Sequence, residues 1–227
     1  MDAKKIAVVI GATGNIGRAV SKALELAGYN VDPTWTGADR PDCTMASSYQ
    51  SLPPKIDAAI YLAGINRVGK AEEMPECVWD EVINVNLKGA FLFAKAAFPG
   101  MKAAGKSSFI AISSIMATHP YPQRLPYAAS KAGIEGLVRS LAIEWGPHGI
   151  ATQALRLGHI SGLMKSTKTN PALLDAVKAK SPLGKLISPE EVASYIVWLA
   201  NGGCHSMSGN ITDFDPAYTI NRWPLTE

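Results

Sequence analysis

Short apolar runs recur along the chain at Ile6 to Ile10, Ala58 to Leu62, Phe109 to Ile112 and Ala151 to Leu157, separated by longer stretches with helical spacing. The helical stretches are Arg18 to Ala27, Val78 to Ala97, Tyr127 to Trp145, Pro171 to Lys180 and Pro189 to Ala200, several of them bounded by Gly or Pro. Strand-length runs alternating with helices predict βα units and a parallel sheet covered on both faces. Ser188 before Pro189, with Glu191 three positions on, forms a capping box that starts the last helix.

The region from Gly28 to Pro54 departs from this rhythm. Val31-Asp32-Pro33-Thr34-Trp35 begins like a second strand but carries a proline, which interior strands tolerate poorly. The distance from there to the run at Ala58 is too short for the usual strand–helix–strand–helix course, so a loop is expected where a helix normally lies.

Composition bounds the answer without changing it. The 227 residues, 47% hydrophobic and 18% charged, suit one domain over residues 1–227 with a well-buried core. A net charge of +3, with basic residues scattered, points away from nucleic acid. Cys43, Cys77 and Cys204 lie far apart with no CxxC pair, which suits reduced thiols in a cytoplasmic protein and predicts neither a disulfide framework nor a metal site. With no basic leader before an apolar stretch and no run of about 18 apolar residues, neither export nor a membrane span is expected.

Chemistry enters at Gly11-Ala12-Thr13-Gly14-Asn15-Ile16-Gly17, between the first strand and the first helix. Small residues there let a backbone approach a pyrophosphate, and a helix N-terminus offers N–H groups with a favourable dipole. Ribose discrimination usually falls to an acidic residue at the end of the second strand, a position occupied here by Trp35. Asp32 stands near the right separation but precedes a proline, whereas Arg40 with Thr34 and Thr36 suits a 2′-phosphate, so NADP is favoured over NAD.

Tyr127 and Lys131 stand four apart at the start of a predicted helix and share one face. A phenol with a pKa of about 10 is a poor base at neutral pH, and a nearby ammonium or a bound nicotinamide cation would lower it. Ser114 closes a strand thirteen residues earlier, at the ligand side of an open α/β sheet, where a hydroxyl holds a substrate oxygen. Asn86 lies mid-helix, a poor place for asparagine, so it has either a polar role at the site or a structural bond to backbone.

In this order and spacing the residues resemble the short-chain dehydrogenase/reductase family over nearly the whole chain. The resemblance rests on the glycine turn, Leu62-Ala63-Gly64 after the strand that the family counts fourth, the Asn86 helix and Ser114 with Tyr127-x-x-x-Lys131. Ile143-Glu144 before Gly149-Ile150 and Ser208-Gly209-Asn210 complete it. It implies a single-domain α/β fold, a Rossmann-like doubly wound parallel sheet, here with a shortened region between the second and fourth strands. It also implies a catalytic set of Asn86, Ser114, Tyr127 and Lys131: Asn86 holds a relay water, Ser114 orients the carbonyl, Tyr127 transfers the proton, and Lys131 lowers its pKa and binds ribose.

The family's Pro-Gly pair appears as Leu157-Gly158, with backbone at Ile160 expected to meet the nicotinamide carboxamide, and Asp42 resembles an aspartate near the adenine. Three departures stand out: Ile10 in place of a threonine, Asn15 in place of the middle glycine, and Tyr61-Leu62 in place of an asparagine pair. The implied activity is NAD(P)-dependent hydride transfer to or from a small-molecule carbonyl or alcohol. The alternatives are a non-catalytic dinucleotide-binding regulator or scaffold, and an epimerase or dehydratase, for whose extra substrate domain the chain has no room. Substrate identity is expected to lie in Ile65 to Pro75, Ile115 to Pro126 and Gly158 to Asn170. The resemblance also implies a homodimer or homotetramer assembled through the helices near Val78 and at Tyr127. The apolar stripe Ile134, Leu137, Val138 and Leu141 on the latter reads more readily as intramolecular core.

Overall fold

Successive residues of a strand face opposite sides of a sheet, and in this chain both sides are apolar. The computed structural model describes residues 4–35, 41–162, 171–203 and 205–221. Six parallel strands, β1 (Ile6–Ile10), β2 (Asn30–Val31), β3 (Ala58–Tyr61), β4 (Ser107–Ser114), β5 (Ile150–Leu157) and β6 (Ile211–Phe214), lie in the order β2-β1-β3-β4-β5-β6. The helices are α1 (Asn15–Leu26), α2 (Glu76–Ile83), α3 (Gly89–Ala104), α4 (Leu125–Trp145), α5 (Pro171–Lys180) and α6 (Pro189–Ala200).

Ala7, Val9, Ile110 and Leu155 point to one face, where they pack with Val20 and Leu24 of α1 and with Ile196 and Leu199 of α6. Val8, Ile10, Phe109 and Ala154 point to the other, against Phe93 and Met101 of α3 and Ile134 and Val138 of α4. The stripe on α4 is thus intramolecular core. The doubly wound parallel sheet expected from the sequence is present, and the predicted capping box is formed, with Ser188 Oγ accepting from the Glu191 N–H and the Glu191 carboxylate accepting from the Ser188 N–H.

The expected loop region is present, whereas the second strand, a further strand and the long central helix differ from expectation. The second strand is only Asn30–Val31; Pro33–Trp35 is a 3₁₀ turn, because the Asp32 carboxylate accepts from the Thr34 N–H and Pro33 has no N–H to continue a ladder. Between β2 and β3 the described residues contain short 3₁₀ turns, at Pro33–Trp35 and Ala46–Tyr49, and neither strand nor α-helix. The strand after this region, fourth in the family count, is therefore the third here. Trp35 and Tyr49 fill the space, buried and stacked at 5.1 Å, with Tyr49 tilted on Phe93. Finally, β6 adds a strand that its half-buried, four-residue sequence does not announce.

The long helix expected from Val78 to Ala97 is two helices, α2 and α3, joined by a π turn at Asn84–Lys88. The wider turn displaces carbonyls from the α ladder, and the Tyr61 hydroxyl donates to that of Val85. This turn carries Asn86.

A buried ion pair fixes α4 to the sheet. Arg156 of β5 donates two hydrogen bonds, of 2.9 and 2.8 Å, to the Glu135 carboxylate, which also accepts from the Ser113 hydroxyl at 2.8 Å. Burial alone would push the Glu135 carboxyl up, but these partners hold it below its ordinary value. Glu135→Leu strands most of the Arg156 guanidinium with only the exposed Asp213, and is expected to cost about 3 kcal/mol in urea unfolding. Glu135→Leu combined with Arg156→Met should recover most of that loss; equal instability of the single and double variants would mean that the pair is not the cause.

Candidate active site

The C-terminal ends of the strands gather the predicted residues. In the glycine turn, Gly11 has φ +88°, and a Cβ there would stand 2.7 Å from the Ala63 nitrogen. A Cβ on Gly17 would overlap the Gly11 carbonyl and stand 2.7 Å from the Ala12 Cα. Both glycines are therefore required for the turn to close against β3 and α1. Gly14 is the residue preceding α1, whose first turn comprises Asn15, Ile16 and Gly17. Asn15, at the position of the family's middle glycine, reaches across the turn and donates to the Ser161 carbonyl at 3.2 Å.

A cavity of about 260 Å³ opens beside this turn, lined among others by Gly11, Thr13, Gly14, Trp35, Ala63 and Gly64. Its outer wall is Pro41 and Cys43. The Asp42 carboxylate, between Pro41 and Cys43 of the cavity lining, accepts from the Thr44 N–H and hydroxyl, both at 2.8 Å. The Asp32 carboxylate is likewise engaged with Thr34. Trp35 is buried at the cavity edge, and its indole N–H has no partner among the described residues. Thr36 and Arg40 lie outside the described residues.

Ile160 forms an isolated parallel bridge with Ile187, in which the Ser161 N–H donates to the Ile187 carbonyl and the Ile187 N–H to that of His159. In such a bridge the central residue's own peptide groups face the other way, so the N–H and C=O of Ile160 point away from Ile187. Gly158 sits just past Leu157, with its α-carbon against the Asp215 carboxylate.

Ser114, Tyr127 and Lys131 come together between β4 and α4. The Ser114 hydroxyl stands close enough to the Tyr127 phenol to favour its ionised form, and Ser114 Oγ accepts from the Met116 N–H at 3.2 Å. Lys131 is buried, its Nζ 5.6 Å from the centre of the Tyr127 ring, and it donates to the Ile112 carbonyl at 2.8 Å. Burial pushes the Tyr127 phenol up, opposed by the Ser114 hydroxyl. The expected lowering by Lys131 is absent because the ammonium is turned to Ile112 and is itself held down to about 8 by burial.

Asn86 is fully buried. Its Oδ1 accepts from the Ile65 N–H at 2.8 Å, and its Nδ2 donates to the Ile65 carbonyl at 2.9 Å and to Ser130 Oγ at 3.0 Å. Ser130 in turn donates to the Tyr127 carbonyl at 2.7 Å. Of the two readings of Asn86, the backbone-bonded one describes its side chain. A Cβ on Gly64 would lie 3.4 Å from Lys131 Nζ and 3.5 Å from Asn86 Oδ1, which puts the end of β3 beside both groups. The sequence pattern assigns no role to Ser130, Glu135 or Arg156; a charged residue inside a buried strand, Arg156 in β5, is the signal that could have found the pair. No group of residues suited to a metal occurs among the described residues, and no helix there is long and apolar enough to cross a membrane.

Comparison with known proteins agrees with this geometry. A family model described as enoyl-(acyl carrier protein) reductase matches residues 42–219. The chain is 31% identical over 229 residues to an acetoacetyl-CoA reductase of Rhizobium meliloti, covering 91% of this chain and 95% of that one. It is 28% identical over 239 residues to an NAD-dependent glycerol dehydrogenase of Listeria innocua, covering 95% and 94%. A solved structure from Beutenbergia cavernae, described as an NAD(P)-dependent gluconate 5-dehydrogenase with NADP at low occupancy, superposes with a TM-score of 0.88. It is 25% identical, covering 96% of this chain and 98% of that chain.

The buried lysine makes a prediction for the protein without dinucleotide. A lysine lowered in the folded state to about 8 from 10.5 penalises folding fully below pH 8, where its charge must be buried, and the penalty fades as pH rises toward 10.5. Relative to Lys131→Met, the wild-type protein should therefore gain up to about 3 kcal/mol between those limits. Urea unfolding of both proteins across that range measures the difference, and a difference that stays constant with pH would show an unshifted lysine.

Proposed function

Because the chain belongs to the short-chain dehydrogenase/reductase family, we propose that Tyr127 passes the proton while a hydride moves between a nicotinamide dinucleotide and the carbon of a CH–OH or C=O group. The chain is an NAD(P)-dependent oxidoreductase of alcohols and carbonyls. The observation that carries the assignment of Tyr127 is its place beside Ser114, with the Nζ of buried Lys131 5.6 Å from its ring centre.

The glycine turn fits a dinucleotide, since the closeness of Gly11 and Gly17 to backbone leaves the first turn of α1 open to phosphate. Gly11, Thr13, Gly14, Asn15, Ile16 and Gly17 would hold the pyrophosphate, Ala63 and Gly64 the adenosine half, and Gly158 and Ile160 the nicotinamide end. When bound, the dinucleotide supplies or accepts the hydride.

The remaining steps belong to the protein. Ser114 donates to the substrate oxygen and steadies charge that develops on it. In reduction Tyr127 gives its phenolic proton to that oxygen, and in oxidation it takes the proton back. Lys131 makes the phenolate accessible by turning its ammonium from the Ile112 carbonyl toward the phenol and ribose. Asn86 acts by position, tying the loop at Ile65 to the start of α4 through Ser130.

We favour NADP over NAD. Trp35 stands where a carboxylate would repel a 2′-phosphate, and the nearby Asp32 and Asp42 carboxylates are engaged by Thr34 and Thr44. Thr36 and Arg40 are the groups assigned to the phosphate. The substrate is a small molecule, the expected location is cytoplasmic, and the expected assembly is a homodimer or homotetramer, for which exposed Phe91 and Ile143 on α3 and α4 are apolar positions. Nothing in the site favours the non-catalytic alternative.

Titration with NADPH and NADH, followed by the fluorescence of the bound dihydronicotinamide, tests the reading. NADPH should bind more tightly than NADH, and Tyr127→Phe should keep that affinity while kcat falls about 10²–10⁴-fold. Failure of both dinucleotides to bind would remove the oxidoreductase reading.

A further inference from the structure

The sheet register places a second set of polar groups beside the proposed catalytic ones. Ser114 pairs with Leu157, and Leu157 with Phe214. Gly158 and His159 on one side, and Asp215 on the other, therefore leave the sheet level with Ser114. Neighbouring strands are about 4.8 Å apart, so the segments that leave β5 and β6 border the space in front of Ser114.

Three distant parts of the chain meet there. Tyr121 lies in the loop that begins at Ser114 and ends at Tyr127, and its hydroxyl is 2.9 Å from His159 Nε2. Tyr218, from the segment after β6, packs edge-on to the His159 ring at 4.6 Å and its hydroxyl acts on the Tyr121 phenol. The segment carrying Tyr218 is fixed at several points. The Asp215 carboxylate accepts from the Thr219 N–H and hydroxyl, Ser181 donates to the Pro216 carbonyl, Asn221 donates to that of Lys180, and Ala217 adopts φ +61°.

Packing alone does not account for this arrangement. A left-handed alanine is unfavourable, and two phenols and an imidazole at one rim replace apolar side chains that would fill the same space. What the set provides is an uncharged chain of hydrogen bonds. Burial pushes the Tyr121 phenol up and holds His159 below its ordinary value, with the Asp215 charge opposing and the Lys180 charge reinforcing the latter. Lys180 itself stands over the outer ring at Tyr218, 4.5 Å from its centre.

A tyrosine hydroxyl bonded to neutral imidazole is amphoteric. When it donates to Nε2, its oxygen can accept from a ligand; when Nε2 carries the proton, the phenol can donate. Such a group matches another hydroxyl, which also both donates and accepts. The pair carries no charge of its own for a carboxylate or phosphate, Lys180 being set over the Tyr218 ring, and it offers an alkyl chain no burial of its polar tip. We propose that Tyr121 and His159, backed by Tyr218, form the specificity wall of the site and select substrates with a hydroxyl on the carbon next to the reacting one, that is, vicinal diols and α-hydroxy ketones.

The proposal rests on the oxidoreductase reading above, and its test separates the two. The probes are 2,3-butanediol and 2-butanol, which differ by the neighbouring hydroxyl, oxidised with whichever dinucleotide binds more tightly. The wild-type protein should favour the diol at least tenfold in kcat/KM. Tyr121→Phe should lower that preference at least tenfold, chiefly through KM for the diol. His159→Leu should do the same, whereas His159→Gln, which can still bond the Tyr121 hydroxyl, should keep part of it, so the test stands if one variant fails to fold. Equal wild-type efficiency with the two alcohols, equal loss on both in Tyr121→Phe, or dinucleotide binding without turnover of either alcohol would each overturn the proposal and leave the oxidoreductase reading in place. Absence of dinucleotide binding would remove both.

Discussion

The arrangement of this site depends on how the start of α4 is held against the end of β4. The Lys131 ammonium donates to the Ile112 carbonyl, and Ser113 donates to Glu135, which Arg156 grips from β5. These bonds cross between helix and strand within a few residues of Ser114 and Tyr127. Apolar packing along Ile134 and Val138 supplies the area, but packing is non-directional and would accept small slips of a helix along a sheet. Charged hydrogen bonds with fixed geometry do not. They set the height at which the Tyr127 hydroxyl meets Ser114.

The same contacts leave the acid/base in a resting condition. A buried ammonium turned to a backbone carbonyl and a phenol raised by burial favour the neutral forms of both groups. Binding of a polar ligand along Gly64, Lys131 and Ser114 would offer Lys131 ribose hydroxyls and place its charge nearer the phenol. On the proposed roles, the proton chemistry would be coupled to occupancy of the dinucleotide site, because Lys131 is otherwise engaged with the Ile112 carbonyl.

Legibility from sequence followed the range of the interactions involved. Period-two and period-3.6 apolar patterns, a Pro-initiated helix and a glycine turn act within a few residues, so β1, β3, β4, β5, α1, α5 and α6 were readable, as was the juxtaposition of Tyr127 with Lys131. The capping box at Ser188 was readable for the same reason. The π turn was not, because it depends on Tyr61 reaching the Val85 carbonyl and on Asn86 bonding Ile65 across the fold. Strand β6 is too short and too polar to show a period, and takes its conformation from the edge of β5. The Glu135–Arg156 pair and the meeting of Tyr121, His159 and Tyr218 join segments far apart in the chain, and no spacing rule connects them. The expected lowering of the Tyr127 pKa assumed proximity of charge without the burial that comes with it.

The shortened region between β2 and β3 shows how a missing element is compensated. The loss of a strand and helix there would expose the edge of β2 and the apolar face of α3. Trp35 and Tyr49 replace that cover with two stacked rings on Phe93, using area in place of backbone pairing. The solution has a chemical consequence. The residue past β2 that would otherwise meet the ribose is now committed to the core through its ring, which lines the cavity where a carboxylate would stand. An uncharged ring in that position does not repel an anionic 2′-group. The proposed cofactor preference thus has the same origin as the shortened fold, in one tryptophan that joins the core where a carboxylate would otherwise stand.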